Sequence, residues 1–125
     1  MFVRGAADAI EFYRHAFGAT ELRRHTDPSG KIVNADIKIG DSIISLAEES
    51  PEWGNYSPPS LGGATMIITL NVEDADAEWN QAVAAGAKVV FPLEDQFYGF
   101  RQGRVEDPFG HLWIISTQIE DVYTE

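Results

Sequence analysis

The chain has 125 residues, of which 44% are hydrophobic and 11% aromatic; this suits one folded domain and excludes a disordered or fibrous chain. Nine basic residues against 20 acidic give a net charge of −11, which repels phosphate backbones and anionic membranes and would draw in a cationic ligand. Cysteine is absent, so disulfides, thiolate catalysis and cysteine-bound zinc are excluded and a cytoplasmic location fits; no apolar run reaches the ~18 residues of a membrane span, and no leader pattern follows Met1.

After a short apolar start at Phe2-Val3, residues Ala6, Ile10, Tyr13 and Phe17 fall at helical spacing, widened by Ala9 and Ala16, with Gly18 placed as a left-handed cap. This predicts a helix over 6–17. Thr20 to His25 reads as a strand, and Asp27-Pro28-Ser29-Gly30 as a type I turn. Val33, Ala35, Ile37 and Ile39 then alternate with Asn34, Asp36 and Lys38, and Gly40-Asp41 turns the chain into a strand over 42–47. Glu48 to Gly63, with its prolines and glycines around Trp53 and Tyr56, reads as a linker; those two rings either cover one rim of a cleft or pack on the surface.

The second half opens with Met66, Ile68, Leu70 and Val72 alternating against Ile67, Thr69 and Asn71. Asp74 is an N-cap for a helix buried through Ala75, Trp79, Ala82 and Val83 and closed by Gly86. Lys88 to Phe91 is a strand ended by Pro92. Gly103–Glu106 and His111–Thr117 are the last two, joined by the turn Asp107-Pro108-Phe109-Gly110.

The halves repeat one another. Ala7-Asp8-Ala9, Ala16 and Gly18-Ala19 return as Ala75-Asp76-Ala77, Ala84 and Gly86-Ala87, shifted by 68 residues, and Gly40–Ile44 matches Gly110–Ile114, shifted by 70. One repetition at so long a period means two copies of a supersecondary unit sharing a core, not a solenoid. The expected fold is α+β, one domain over 1–125. Its two βαβββ modules form a curved eight-stranded mixed sheet with helices on the convex face: module one about 1–48, linker 49–64, module two 65–118, acidic tail 119–125. Val33, Ala35, Ile37, Ile39, Met66, Ile68, Leu70 and Val72 should pack under the helices. Asn34, Asp36, Lys38, Ile67, Thr69, Asn71, Arg104, Glu106, Leu112, Ile114 and Ser116 should line the concavity, with His111, Trp113 and Ile115 against the helix layer.

Asp95–Gly103, running on through Glu106–Trp113, resembles the PhnB-like branch of the vicinal oxygen chelate superfamily of glyoxalases, bleomycin-resistance proteins and dioxygenases. Ala9–Tyr13, Ala16–Ala19 and Ile39–Ser42 are similar to that family's first module. The resemblance implies paired βαβββ modules, usually as a homodimer. It also implies four cavity-facing strand positions where metal-using members carry His or Glu. Here the first would lie before Met1, the fourth-strand position is Ile44 or Ser45, the fifth-strand position Ile67 and the eighth-strand position Ile114. None offers an imidazole or carboxylate, so no metal and no cofactor is expected.

The three histidines add no metal site: His15 lies on an exposed helix face, His25 at a strand end and His111 in the turn motif. Tyr98 with Arg101 or Arg104 can form a cavity wall that stacks on a ligand and binds an anion, or Arg101 can pair with an acid to fix its loop. Asp36 and Glu106 would face each other and could do acid–base work, or pair with Lys38 and Arg104. The functional expectation is a metal-free homodimer binding a small molecule. The candidate pocket residues are Asn34, Asp36, Ile67, Thr69, Asn71, Tyr98, Arg101, Arg104, Glu106 and Ile114. The alternatives are a metal-dependent glyoxalase-like lyase, isomerase or dioxygenase using Asp36, Glu48 or Glu106 as non-standard ligands, and a metal-independent enzyme with Asp36 or Glu106 as base.

Overall fold

In the computed structural model, which describes residues 1–120, each half of the chain is a βαβββ unit. The first contains β1 (Phe2–Val3), α1 (Ala6–Phe17), β2 (Thr20–Thr26), β3 (Ile32–Ile39) and β4 (Ser42–Glu48). The second contains β5 (Ile67–Asn71), α3 (Ala75–Ala85), β6 (Lys88–Asp95), β7 (Phe100–Glu106) and β8 (Leu112–Gln118). Each unit makes one mixed four-stranded sheet, ordered β1-β4-β3-β2 and β5-β8-β7-β6, in which the first strand runs parallel to the last. The eight strands of the α+β architecture are thus divided into two equivalent sheets. Among the described residues no helix is long and apolar enough to cross a membrane.

Both long helices start and stop where the sequence places them. Asp74 accepts a hydrogen bond from the Ala77 backbone N–H, and Gly18 and Gly86 close α1 and α3 at φ 66° and 117°. The start of α1 is capped from a distance: the Gly5 and Ala6 N–H groups donate to the two carboxylate oxygens of Glu48 at 2.9 and 2.8 Å. A carboxylate there satisfies orphan donors and opposes the helix dipole. The segment between the modules is not a plain linker. It forms a 3-10 turn over Pro51–Trp53 and a short helix α2 (Pro58–Leu61), because the prolines supply φ values suited to a first helical turn.

The buried face of α1 (Ala6, Ala9, Ile10, Tyr13, Ala16, Phe17) crosses from its own module to the other. The Tyr13 and Phe17 rings lie 5.4 and 4.6 Å from the ring of Trp113 on β8, and Phe109 meets Phe12 and Tyr13. At the centre of this cluster the buried Asp107 carboxylate accepts four hydrogen bonds. Tyr13 Oη (2.5 Å) and Trp113 Nε1 (2.9 Å) donate to one oxygen; the Phe109 and His111 N–H groups (2.8 and 3.0 Å) donate to the other. Burial, followed by the charge and hydrogen bond of Asp107, pushes the Tyr13 hydroxyl far above its ordinary titration range, so it stays a donor.

Five expectations are corrected. Val33 is 48% exposed and Ile32 takes its core place, because a register shift between His25 and Thr26 interrupts the alternation. Met66 is 58% exposed and lies before β5, outside the ladder; Val83 is also exposed, on the outer side of α3. The strand beginning at Lys88 continues through Pro92 to Asp95. As the sheet edge with two register shifts, it tolerates a residue without an N–H. β7 begins at Phe100, three residues before Gly103. At Gly103 itself an added Cβ would sit 2.6 Å from the Trp79 ring and 2.8 Å from the Leu93 nitrogen, so a hydrogen there lets α3 lie on the sheet. The described part of the acidic tail, beyond β8, is exposed; residues 121–125 lie outside the described residues.

Replacing Tyr13 with Phe keeps the rings packed and removes one donor from a buried carboxylate. The expected loss is about 1.5–3 kcal/mol of unfolding free energy, read by urea denaturation as a lower midpoint at unchanged slope. An unchanged midpoint would mean that this hydrogen bond contributes nothing to joining the modules.

Candidate functional site

The face of the second sheet turned away from α1 and α3 carries alternate residues of each strand. On β7 and β8, Val105, Trp113 and Ile115 are fully buried beneath the helices, which sends Gln102, Arg104, Glu106, Leu112, Ile114 and Ser116 to the opposite side. A cavity of about 290 Å³ opens there, walled by Phe91, Pro92 and Glu94 of β6, Gln96 and Tyr98 of the β6–β7 turn, Gln102, Gly103 and Arg104 of β7, and Ile114. That volume is at the small end of the ~300–1,000 Å³ range of ligand pockets.

Its polar groups are ordered by a chain of hydrogen bonds. Ser116 Oγ donates to Gln102 Oε1 (3.1 Å), and Gln102 Nε2 donates to Tyr98 Oη (2.6 Å). The Arg104 guanidinium lies over the Phe91 ring, 5.1 Å from its centroid. Its Nε is closed off from solvent and has no hydrogen-bond partner among the described residues.

Of the ten candidate residues, the structure brings Tyr98, Arg104 and Ile114 together in this cavity. Arg101 points elsewhere: Nε and one terminal nitrogen donate to both Asp76 oxygens (3.0 and 2.9 Å), and the other terminal nitrogen donates to Asp95 (2.9 Å). These bonds, Asp76 first, hold the Arg101 guanidinium more firmly protonated and the Asp76 carboxyl below its usual range. Arg101 therefore pins the β6–β7 turn to the first turn of α3, the structural alternative of its two readings. Glu106 lines a separate hollow with Leu112 and the Pro58–Ala64 segment. Ile67, Thr69 and Asn71 occupy the exposed face of β5; Thr69 and Asn71 border a groove beside Phe17 and Gly40–Ser42.

In the first module, Asp36 accepts from Arg23 Nε and Ser45 Oγ, each at 2.6 Å, and the Ser45 bond followed by Arg23 lowers its carboxyl pKa. Asn34 sits half-buried on the same strand, opposite His25. Ser45 shares the face of Asp36, whereas Ile44 packs against the core beside its fully buried ladder partner Ile37, so Ser45 is the residue at the fourth-strand cavity-facing position. His111 Nε2 faces the Phe2 carbonyl at 2.8 Å and ties β1 to the second module. The other six wall residues, Phe91, Pro92, Glu94, Gln96, Gln102 and Gly103, were not among the sequence candidates. Extending the alternation of Arg104 and Glu106 back by two residues would have found Gln102.

Residues 1–115 match the family model described as the Glyoxalase/Bleomycin resistance protein/Dioxygenase superfamily. The chain belongs to that superfamily. An uncharacterized protein of Mycobacterium bovis is 42% identical over 125 residues, covering 98% of this chain and 82% of that protein. The crystal structure of TioX from Micromonospora sp. ML1 superposes with a TM-score of 0.75 at 28% identity, covering 94% of each chain. A gene product of Arabidopsis thaliana superposes at 0.73 with 29% identity, covering 92% of each.

The positions where the family resemblance would place imidazole or carboxylate donors to a metal are Ser45, Ile67 and Ile114 here. Among the described residues no three His, Asp or Glu side chains gather as a metal-holding set. The non-standard candidates are spoken for or apart: Glu48 caps α1, Asp36 holds Arg23 and Ser45, and Glu106 lies in its own hollow. This donor set does not fit a divalent metal.

The segment between the modules walls a neighbouring cavity of about 250 Å³, lined by Tyr56, Pro58, Leu61, Phe2 and His111 among others; Trp53 is 80% exposed and lines none of it. Glu49 holds this segment in place, accepting from Ser60 Oγ, from the Ser57 N–H and Oγ, and from Arg4 Nε. Those bonds, Ser60 first, pull its carboxyl down from 4.5 to about 2. A carboxyl depressed in the folded state stabilises it fully above the unfolded value and loses that contribution as pH falls. Amide exchange at Ser57 should therefore accelerate as pH is lowered from 4.5 to 2, after correction for the intrinsic rate. Glu49→Gln should exchange faster at neutral pH and show no step in that window; a step that persists in the variant assigns it to another group.

Proposed function

We propose that this chain is a metal-free small-molecule-binding protein of the PhnB-like branch, with its ligand in the cavity on the outer face of the second sheet. The observation that carries the reading is Ile114, an aliphatic side chain in the cavity wall, at the strand position to which the family resemblance assigns a glutamate in metal-using members. An apolar wall beside a few ordered polar groups is the composition of a binding pocket. The Asp95–Gly103 motif supports the branch, since it supplies both the Tyr98 wall and the Arg101 anchor of the turn. The reading includes a homodimer in the cytoplasm; Leu22 on β2 and Val89, Val90 and Phe91 on β6 are apolar side chains left exposed on edge strands, which a second copy would cover.

Elemental analysis after metal-replete expression tests the chemistry, and dialysis against small organic molecules tests the site. Zn, Ni, Mn and Fe should all be substoichiometric, and a binder should be found whose affinity Ile114→Trp abolishes by filling the cavity. Light scattering at micromolar concentration should read twice the 13.8 kDa chain mass. One bound metal per chain would overturn the metal-free reading, and a monomer mass would overturn the dimer.

A further inference from the structure

We infer that the cavity takes a small organic carboxylate, gripped by Arg104 and Tyr98, with its apolar body against Phe91, Pro92 and Ile114. The inference rests on the reading of this cavity as a small-molecule site and adds the ligand's chemical class.

It begins with the fate of the arginines. The chain has six, and acids outnumber bases 20 to 9, so partners are plentiful. Arg4, Arg14, Arg23, Arg24 and Arg101 are each ion-paired, with Glu49, Glu11, Asp36, Glu21 and the Asp76/Asp95 pair. Arg104 pairs with no acid among the described residues, although it is half-buried and its Nε is wholly shut off from water. A buried cationic donor without an acceptor is costly and rare in native structures. The rest of the Arg104 side chain lines a hollow large enough for an anionic partner of its guanidinium.

The surroundings specify that partner. Phe91 backs one face of the guanidinium, leaving the planar edge of donors to meet acceptors lying in that plane. Tyr98 Oη already accepts from Gln102, whose amide is oriented by Ser116, so the phenol proton is left to donate. Two donors, one of them charged, beside an aliphatic wall are matched by a carboxylate on an apolar body. Glu94 in the same wall disfavours a second negative charge on the ligand. The chain-wide charge of −11 would favour a cation, but it acts through solvent screened over about 8 Å at physiological salt, whereas Arg104 acts at contact.

The test titrates the protein with 2-naphthoate, neutral 2-naphthamide and cationic 2-naphthylmethylammonium, following amide and arginine Nε–H signals by NMR. Naphthoate should bind about tenfold or more tighter than the amide. It should shift the Arg104 Nε–H and the signals of Gly103 and Ile114. Arg104→Gln should lose that tenfold for naphthoate while leaving naphthamide within about twofold, a result a misfolded variant could not give. Tyr98→Phe should weaken naphthoate severalfold. Equal or tighter binding of the amide or the ammonium, or naphthoate binding unchanged in Arg104→Gln, overturns the carboxylate assignment and leaves the small-molecule reading standing. Failure of all three probes to shift the cavity signals at millimolar concentration removes both.

Discussion

The structure turns on one buried carboxylate. Asp107 lies at the start of a turn in the second module, yet two of its four donors are rings, and one of those, Tyr13, belongs to the first. Its other two donors are backbone N–H groups that set the shape of its own turn. Hydrogen bonds to a charged group are among the stronger ones available, and a carboxylate in an apolar cluster tolerates the loss of a donor poorly. Local turn geometry and the contact between halves therefore depend on the same few atoms. Asp27 makes the same backbone turn with Ser29 and Lys31 but is only half-buried and accepts from no ring. Identical turn chemistry serves as a hairpin closure in one place and as the junction of the domain in the other.

The two modules share a plan but not a surface. On the outer face of the first sheet, the polar groups answer one another: Asp36 is occupied by Arg23 and Ser45. On the corresponding face of the second sheet, Arg104 Nε has no hydrogen-bond partner among the described residues, and the ladder partner beside it is Ile114 rather than a donor. Two of the acids weighed as metal ligands have structural work instead: Asp36 holds Arg23 and Ser45, and the two oxygens of Glu48 begin α1. The superfamily scaffold is present, while among the described residues no three His, Asp or Glu side chains gather as a metal-holding set, and a shared fold does not by itself fix a shared chemistry.

Much of this was legible in the chain. The 68-residue shift reports the duplication, and Asp74, Gly18 and Gly86 mark helix ends through backbone requirements that act locally. Period-two alternation assigned Ala35, Ile37 and Ile39 to the core and Arg104 and Ile114 to the other face. What was not legible depends on neighbours distant in sequence. Val33 obeys the alternation until the register of β2 shifts against it. Pro92 ends a strand on intrinsic grounds, but an edge position excuses its missing N–H, and the cavity wall of Phe91, Pro92 and Glu94 follows from that extension. Arg101 and Arg104 look alike in the sequence; only the strand face separates the anchor of a turn from the cavity residue.

Trp79 and Gly103 carry a last consequence. The indole of α3 occupies the space where a side chain at 103 would stand, and Gly103 is also part of the cavity wall. Helix and pocket floor are therefore separated by a single peptide's thickness. The two positions respond to opposite changes in opposite ways: a methyl group at 103 would meet both the indole and the Leu93 backbone and press the floor of the hollow outward or tip the helix off the sheet, whereas a smaller side chain at 79 would leave a void beneath the helix.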